Sequence, residues 1–509
     1  MTFLRLPLLL ACLSLPVFSS LSAFAATSSP ASPNAIRPDD IPAAAIPIPP
    51  SSTAQQLYAS AQNDLLQLRV LLKNGHSQSA VGSGFLIGTS NLVITNFHVV
   101  SQIALEPETY FGEFKDTQGK SGDIELLAVD VQHDLAVVRV NRQGTGVFNL
   151  TEIPATITQG EHLYSLGNPL DLGFTISEGT YNGVSHRGFS DQIMFTGPVN
   201  PGMSGGPNVT ATGQVAGINV AHRRDGELVS FLVPATFAQK LFTSITPTSK
   251  PPADFKPIIG EQLLAHQTLM IDTLLATPLT HKVLGPYSVP VRESEQVRCW
   301  GSSDTKGEKT YNTDQINCAM ESELFVSEDL QTGNISMNHK FVQTDKLDSL
   351  RFSLLMGKFF SNRVNGNTKD ENLTTGHCTE EFIGKDNFSS RAVVCVESYQ
   401  KFAGLYNFIL FTTSTDEPLM SLQSRLIING VSYENGQKFI QQFLNAFSKE
   451  KLTAKNSVKI NAVKINTANT SAVNSSAVNS SAVNSSAVSS KAPPPDKTTT
   501  PTTTKTEAK

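Results

Sequence analysis

The stretch that most constrains this chain is Phe195–Val209, which reads FTGPVNPGMSGGPNV. One serine, Ser204, stands among Gly202, Gly205 and Gly206, with Pro201 before the cluster and Pro207 after it. Glycine has no Cβ, so it permits a sharp turn and close approach by another backbone. Such a turn presents the Ser204 hydroxyl while the N–H groups of Gly202 and Ser204 point into one small space. Two converging donors suit a developing oxyanion, and losing one costs roughly 10²–10³ in kcat. Taken alone, the stretch also fits an ordinary surface turn. It matches G-x-S-x-G as well, the elbow that runs from strand through serine into helix. Here Gly-Gly-Pro-Asn-Val follows, then a Thr212-Gly213 turn and the strand-like VAGINVA, so the elbow fails on context.

Two upstream markers decide between the remaining readings. NLVITNFHVVS is a β-branched run that delivers His98 at its end. DVQHDLAVVRV sets Asp134 where a loop meets a strand of Leu, Ala and Val. Either residue alone reads as an unremarkable histidine or turn aspartate. The order His98, Asp134, Ser204 is that of chymotrypsin-type proteases, not of subtilisins or α/β-hydrolases.

The segment GSGFLIG…LVITNFHVV…HDLAVVRV…LYSLGNPLDLGFTISEGTYNGV…PVNPGMSGGP…GQVAGINVA…FLVPATFAQKL resembles the trypsin-like protease domain of the HtrA/Deg type over about residues 54–245. The resemblance implies a double β-barrel of six strands each, with the catalytic groups in the cleft between. Carried over by motif, His98 is the general base, Asp134 orients it, Ser204 attacks, and the Gly202 and Ser204 N–H groups form the oxyanion hole. It also implies a pocket walled by Phe195–Met203 and Gly217–Ala221, giving Thr196, Val199, Ile218, Asn219 and Val220 as substrate-binding candidates. No carboxylate falls in those walls, which points to an apolar rather than a basic residue before the scissile bond. His222, Arg223 and Arg224 just beyond would favour acidic residues further along the substrate. Two departures stand out. Met203 replaces the usual Asn or Asp before the serine, with an expected effect on regulation, and no PDZ-like sequence follows.

The rest of the chain is read from composition and pattern. Residues 1–25 have Arg5, an apolar run and Ala23-Phe24-Ala25, the marks of a secretory signal. Residues 26–53 form an Ala/Pro/Ser linker, 54–248 the protease domain, and 249–258 a second linker. Residues 259–451 form a C-terminal domain with no recognised catalytic motif. ISMNHKFV, RFSLLMG, RAVVCV, NFILFTT and SRLIING read there as strands. GQKFIQQFLNAF reads as a helix with Phe439, Ile440, Phe443, Leu444 and Phe447 on one face. Past the signal four cysteines remain, which allow three pairings. An exported chain favours disulfides. Cys299–Cys318 and Cys378–Cys395 are the expected pairs, because each brackets a turn-rich segment as a hairpin staple would. The two similar arrangements hint at duplication. Residues 452–509, with repeated NSSAV, read as a low-complexity disordered tail.

The expected fold class is therefore mainly β: a trypsin-like double barrel, then a disulfide-containing α+β domain and the tail. The expected function is an exported serine endopeptidase, periplasmic or extracellular, acting on polypeptide through an acyl-enzyme. The alternative is a binding or chaperone-like protein that keeps the fold with a closed site. A net charge of −5 over 509 residues gives no case for nucleic acid. No H-E-x-x-H or C-x-x-C occurs, so neither metal nor cofactor is expected. No membrane span is expected after signal removal, and oligomeric state is not legible.

Overall fold

A computed structural model describes residues 51–450 apart from 151–155, 223–227, 305–308, 361–369 and 386–387. The signal, most of the first linker and the tail lie outside the described residues. The described residues belong to one compact unit. Among them, twelve strands close into two six-stranded barrels. The first holds β1 (Leu65–Leu72), β2 (Gln78–Leu86), β3 (Leu92–Thr95), β4 (Tyr110–Asp116), β5 (Ser121–Asp130) and β6 (Leu135–Val140). The second holds β7 (His162–Gly167), β8 (Thr175–Ser185), β9 (Gln192–Thr196), β10 (Pro207–Thr210), β11 (Val215–His222) and β12 (Val229–Pro234). Both close antiparallel, in the orders β1-β2-β3-β6-β5-β4 and β10-β11-β12-β9-β8-β7. Runs such as LVIT and LAVVRV are buried along nearly their whole length. One face fills the barrel while the other meets helices α1 (Ser52–Ala61), α2 (Phe97–Leu105) and α3 (Ala235–Thr243) or the neighbouring barrel.

The segment expected as a second linker lies along the first barrel. The Arg139 guanidinium donates to the Pro247 and Ser249 carbonyls at 2.9 and 2.8 Å. Phe255 is 7% exposed and belongs to that barrel's core cluster. Next comes α4 (Lys256–Leu275), a helix the strand-dominated reading of this region did not contain. Its buried residues, Ile259, Leu263, His266, Gln267, Met270, Ile271 and Leu274, face two partners. The first two join the barrel cluster, and Met270, Ile271 and Leu274 join the core of the C-terminal region. A helix buried on two sides leaves no single apolar stripe to read.

The C-terminal region adds a small sheet of β13 (Thr280–Leu284), β14 (Tyr287–Val291) and, late in the chain, β24 (Ser448–Lys449). Its main layer is a seven-stranded antiparallel sheet. The strands are β15 (Val297–Asp304), β16 (Asn312–Met320), β19 (Asn334–Gln343), β20 (His377–Lys385), β21 (Phe388–Ser398), β22 (Tyr406–Ser414) and β23 (Met420–Val431), ordered β15-β16-β19-β23-β22-β21-β20. A hairpin of β17 (Leu324–Ser327) and β18 (Leu330–Thr332) branches off before β19. Period-two alternation is clean in β19, where Ile335, Met337, His339 and Phe341 all point into the core. RFSLLMG, expected as a strand, instead lies within helix α5 (Ser349–Phe359), capped by Asp348, which packs Phe352 and Met356, four residues apart, against Val342. Helix α6 (Tyr433–Asn445), capped by Ser432, buries Phe439, Ile440 and Phe443 of the expected stripe, while Leu444 is half-buried and Phe447 is buried just past the helix end.

Disulfides join Cys299 to Cys318 and Cys378 to Cys395, the two expected pairs. Each links residues directly opposite in a strand pair, β15 with β16 and β20 with β21. Since β15 and β20 are the two edges of the sheet, each bond staples an edge strand to its only neighbour. Edge strands lack half their ladder and fray most readily.

Candidate active site

The site is assembled by three turns. The first is the end of β3, where Asn96 leads into α2 and His98 becomes the second helical residue. The sequence offered a helix-start signal in Asn96 before an apolar run, and the strand reading passed over it. The second turn joins β5 to β6 and holds Asp134 at φ +54°. That left-handed conformation is uncommon outside glycine, and aspartate tolerates it better than most. It is fastened by the Asn96 side-chain amide, which donates to the Asp134 carbonyl at 2.7 Å. Asp134 then receives His98 twice: the backbone N–H on Oδ1 at 2.8 Å and the ring Nδ1 on Oδ2 at 2.6 Å. A carboxylate can only accept, so Nδ1 carries the proton and Nε2 keeps a free lone pair.

The third turn carries Ser204, with Gly202 at φ +93° and Gly205 at φ +84°. Glycine is required twice over at both positions. A Cβ on Gly202 would lie 2.4 Å from the Asn168 carbonyl oxygen. One on Gly205 would lie 2.2 Å from the Ser83 oxygen and 2.3 Å from Thr95 Oγ1, in the strand that ends two residues before the His98 helix. The serine turn of the second barrel is thus pressed against the histidine strand of the first. Among the described residues the N–H groups of Gly202 and Ser204 donate to no acceptor. Two unspent donors flank the Ser204 hydroxyl, as an oxyanion hole requires.

Sequence reasoning missed Ser83 of β2, which is fully buried. Its N–H donates to the Ser204 carbonyl at 2.7 Å, and its hydroxyl donates to the Gly202 carbonyl at 2.7 Å. The same hydroxyl accepts from the Asn168 N–H at 2.9 Å. One residue from the first barrel therefore holds the serine turn at both ends, through its hydroxyl at Gly202 and its backbone N–H at Ser204. The available signal was Val81-Gly82-Ser83-Gly84, since glycines inside a strand mark close backbone approach.

Ser204 Oγ donates to the Val220 carbonyl at 2.9 Å. Val220 is half-buried, whereas Ile218 and Asn219 are fully buried within the second barrel. Ile218 packs in the barrel core. Asn219 spends its amide on the Leu166 and Met203 carbonyls at 3.0 and 3.4 Å and accepts from Ser165 at 2.8 Å. Neither side chain presents surface to a cleft. Val199 and Met203 are buried with Phe195 in a small apolar cluster, and Thr196 is exposed beside Asn182. Met203 thus turns its side chain into the barrel, where an apolar residue belongs. Arg223 and Arg224 lie outside the described residues.

The His98 pKa is set by opposing causes. Burial pulls it down, but the charge of Asp134 and the hydrogen bond to it outweigh that and leave it above the ordinary value. The ring side chain keeps 29% exposure, so it remains reachable from solvent.

Two barrels with a histidine–aspartate pair on one and a glycine-bound serine on the other define a trypsin-like arrangement. Residues 82–218 match the model of the trypsin-like peptidase domain family. HhoB of Synechocystis is 31% identical over 172 residues, 32% of this chain and 40% of that protein. A DegP-like protein of Brucella suis is 32% identical over 179 residues, 33% of each chain. The human serine protease HTRA3 is 27% identical over 205 residues, 38% of this chain and 44% of that one. A solved serine endoprotease from Yersinia pestis covers 38% of this chain and 66% of its own, at 22% identity and TM-score 0.33. This chain carries a trypsin-like protease domain of the HtrA type. It spans less than half the length of these curated relatives.

Proposed function

We propose that the protein is an exported serine endopeptidase that cleaves polypeptides through Ser204, His98 and Asp134. Residues 54–248 are taken as the peptidase domain and 259–451 as a second region of its own. Serine is a weak nucleophile until a base removes its proton during attack. His98 Nε2 takes that proton as Ser204 Oγ bonds to the scissile carbonyl carbon. Asp134 holds the tautomer and stabilises the imidazolium. The carbonyl oxygen, now negative, receives the N–H groups of Gly202 and Ser204. Collapse breaks the C–N bond, His98 returns the proton to the leaving amine, and water repeats the sequence on the acyl-enzyme.

The observation that carries this reading is the pair of unspent N–H donors beside Ser204, in a turn locked against the His98-bearing segment. Attack requires the hydroxyl to leave the Val220 carbonyl and turn to His98. Catalytic hydrogen bonds often form only once substrate is bound. The same 2.9 Å bond to Val220 favours the second reading, a binding protein whose serine is held off its base.

A fluorophosphonate probe separates the two. The full chain is expected to label at Ser204, and Ser204→Ala to lose the label while keeping its thermal midpoint. Turnover in that variant should fall on the order of 10⁶-fold. A folded wild-type protein that takes no label would leave only the binding reading. Export rests on the first 25 residues and on the periplasmic name of the Brucella relatives. Among the described residues no helix is long and apolar enough to cross a membrane.

A further inference from the structure

The C-terminal region meets the candidate centre at two separate points, one on His98 and one on the segment that leads into the Asp134 turn. The first is apolar. Leu324, Val326 and Leu330 of the β17–β18 hairpin share one core cluster with Val99, Val100, Ala104 and Leu105 of α2. Phe325, half-buried between them in sequence, packs against the same cluster. Its ring meets the His98 ring edge-to-face, with centroids 5.9 Å apart and planes at 72°. The same ring meets Phe97 at 6.4 Å and 70°.

The second contact is polar. Gln262 of α4 accepts from the Val131 N–H at 2.7 Å and donates to the Val129 carbonyl at 2.8 Å. The Val131 carbonyl in turn accepts the Asp134 N–H at 3.4 Å, closing the turn that keeps Asp134 at φ +54°. Non-glycine backbone in that region persists only where the surroundings over-determine it. Gln262 spends both ends of its amide on this one short segment. Neither residue falls within the part of the chain that matches the peptidase model, residues 82–218.

We propose that the C-terminal region completes the catalytic centre, with Phe325 fixing the plane of the His98 ring and Gln262 fixing the Asp134 turn. The base and its carboxylate then align only while that region is docked. Both are positioning residues, since neither touches the reacting atoms. The inference rests on the serine-peptidase reading, and it predicts a loss in turnover with little change in substrate binding.

The test uses the full chain and the variants Phe325→Ala, Phe325→Tyr and Gln262→Leu. The measurements are the pH profile of fluorophosphonate labelling at Ser204 and the downfield imidazole proton resonance of His98 Nδ1–H. A misplaced pair costs about 10²-fold in rate. Phe325→Ala and Gln262→Leu should lose about that factor, move the midpoint of the labelling profile, and shift or broaden the resonance. Phe325→Tyr keeps the ring and should restore all three. If Phe325→Ala fails to fold, Phe325→Leu replaces it, with the apolar volume retained and the aromatic edge removed. Wild-type rates and an unmoved resonance in both disruptive variants would overturn the inference. If the wild-type chain does not label, the peptidase reading fails by itself. The His98 resonance then decides alone: a shift in the variants supports positioning, and none refutes it.

Discussion

His339 offers a quantitative test of how the C-terminal core responds to acid. It sits on β19 with no exposed surface, stacked on Phe443 at 5.6 Å and 17°, with Phe447 at its edge. Its Nε2–H donates to the Pro290 carbonyl at 2.7 Å, and Nδ1 accepts from the Ser424 hydroxyl at 2.8 Å. None of those neighbours carries charge, so burial dominates and lowers its pKa to about 4, the Pro290 bond pulling weakly upward. The unfolded chain titrates near ~6.5. A depressed folded-state pKa means that the unfolded state binds the proton first as pH falls. The stabilisation is therefore complete above the unfolded pKa and is lost as pH drops from there towards about 4. Between pH 7 and 5, these two values give a loss of about 2 kcal/mol from this residue. His266, also buried and lowered to about 4, adds a similar amount over the same interval.

His339→Gln removes the titration and keeps an amide donor for the Pro290 carbonyl. Urea unfolding at pH 7 and pH 5, followed by circular dichroism, gives the stability difference for each protein. The wild-type difference should exceed that of the variant by about 2 kcal/mol, whatever the variant's own stability at pH 7. Equal differences within a few tenths of a kcal/mol would show that His339 is protonated in the folded state or screened by water, and the reasoning would be wrong.

Four further outcomes concern the active site. Gly202→Ala places a methyl group 2.4 Å from the Asn168 carbonyl and tilts one N–H out of the oxyanion hole, so labelling should slow by roughly 10²–10³; an unchanged rate would remove Gly202 from the hole. Because His98 is held above its ordinary pKa and the base must be neutral, kcat/KM should rise with pH through a midpoint above ~6.5. Asp134→Asn removes both raising causes, so that midpoint should fall and kcat drop by about 10⁴, with an unmoved midpoint counting against the pairing. In a proteome-derived peptide library, cleavage should follow apolar residues of small to medium size, because a buried Lys or Arg would meet no carboxylate in the predicted walls. Cleavage mainly after Lys or Arg would locate the pocket elsewhere.

Much of the site was legible in one dimension because its chemistry is local. The glycines around Ser204, the strand ahead of His98 and the turn at Asp134 each carry their reason within a few residues. The cysteine pairs were legible too, since a hairpin brings residues 17 and 19 apart in sequence directly opposite. Other features arise from contacts between distant segments, and no periodicity announces them. Helix α4 went unread because it is buried on two sides. Ile218 and Asn219 look like pocket walls in sequence, yet barrel closure draws both side chains inward. Ser83 gains its role only when the second barrel presses Ser204 onto β2, 121 residues later. Phe325 and Gln262 lie still further from His98 and Asp134 along the chain. A local conformation can be read from its own residues; the contact of an aromatic ring with a distant histidine exists only when both segments have packed.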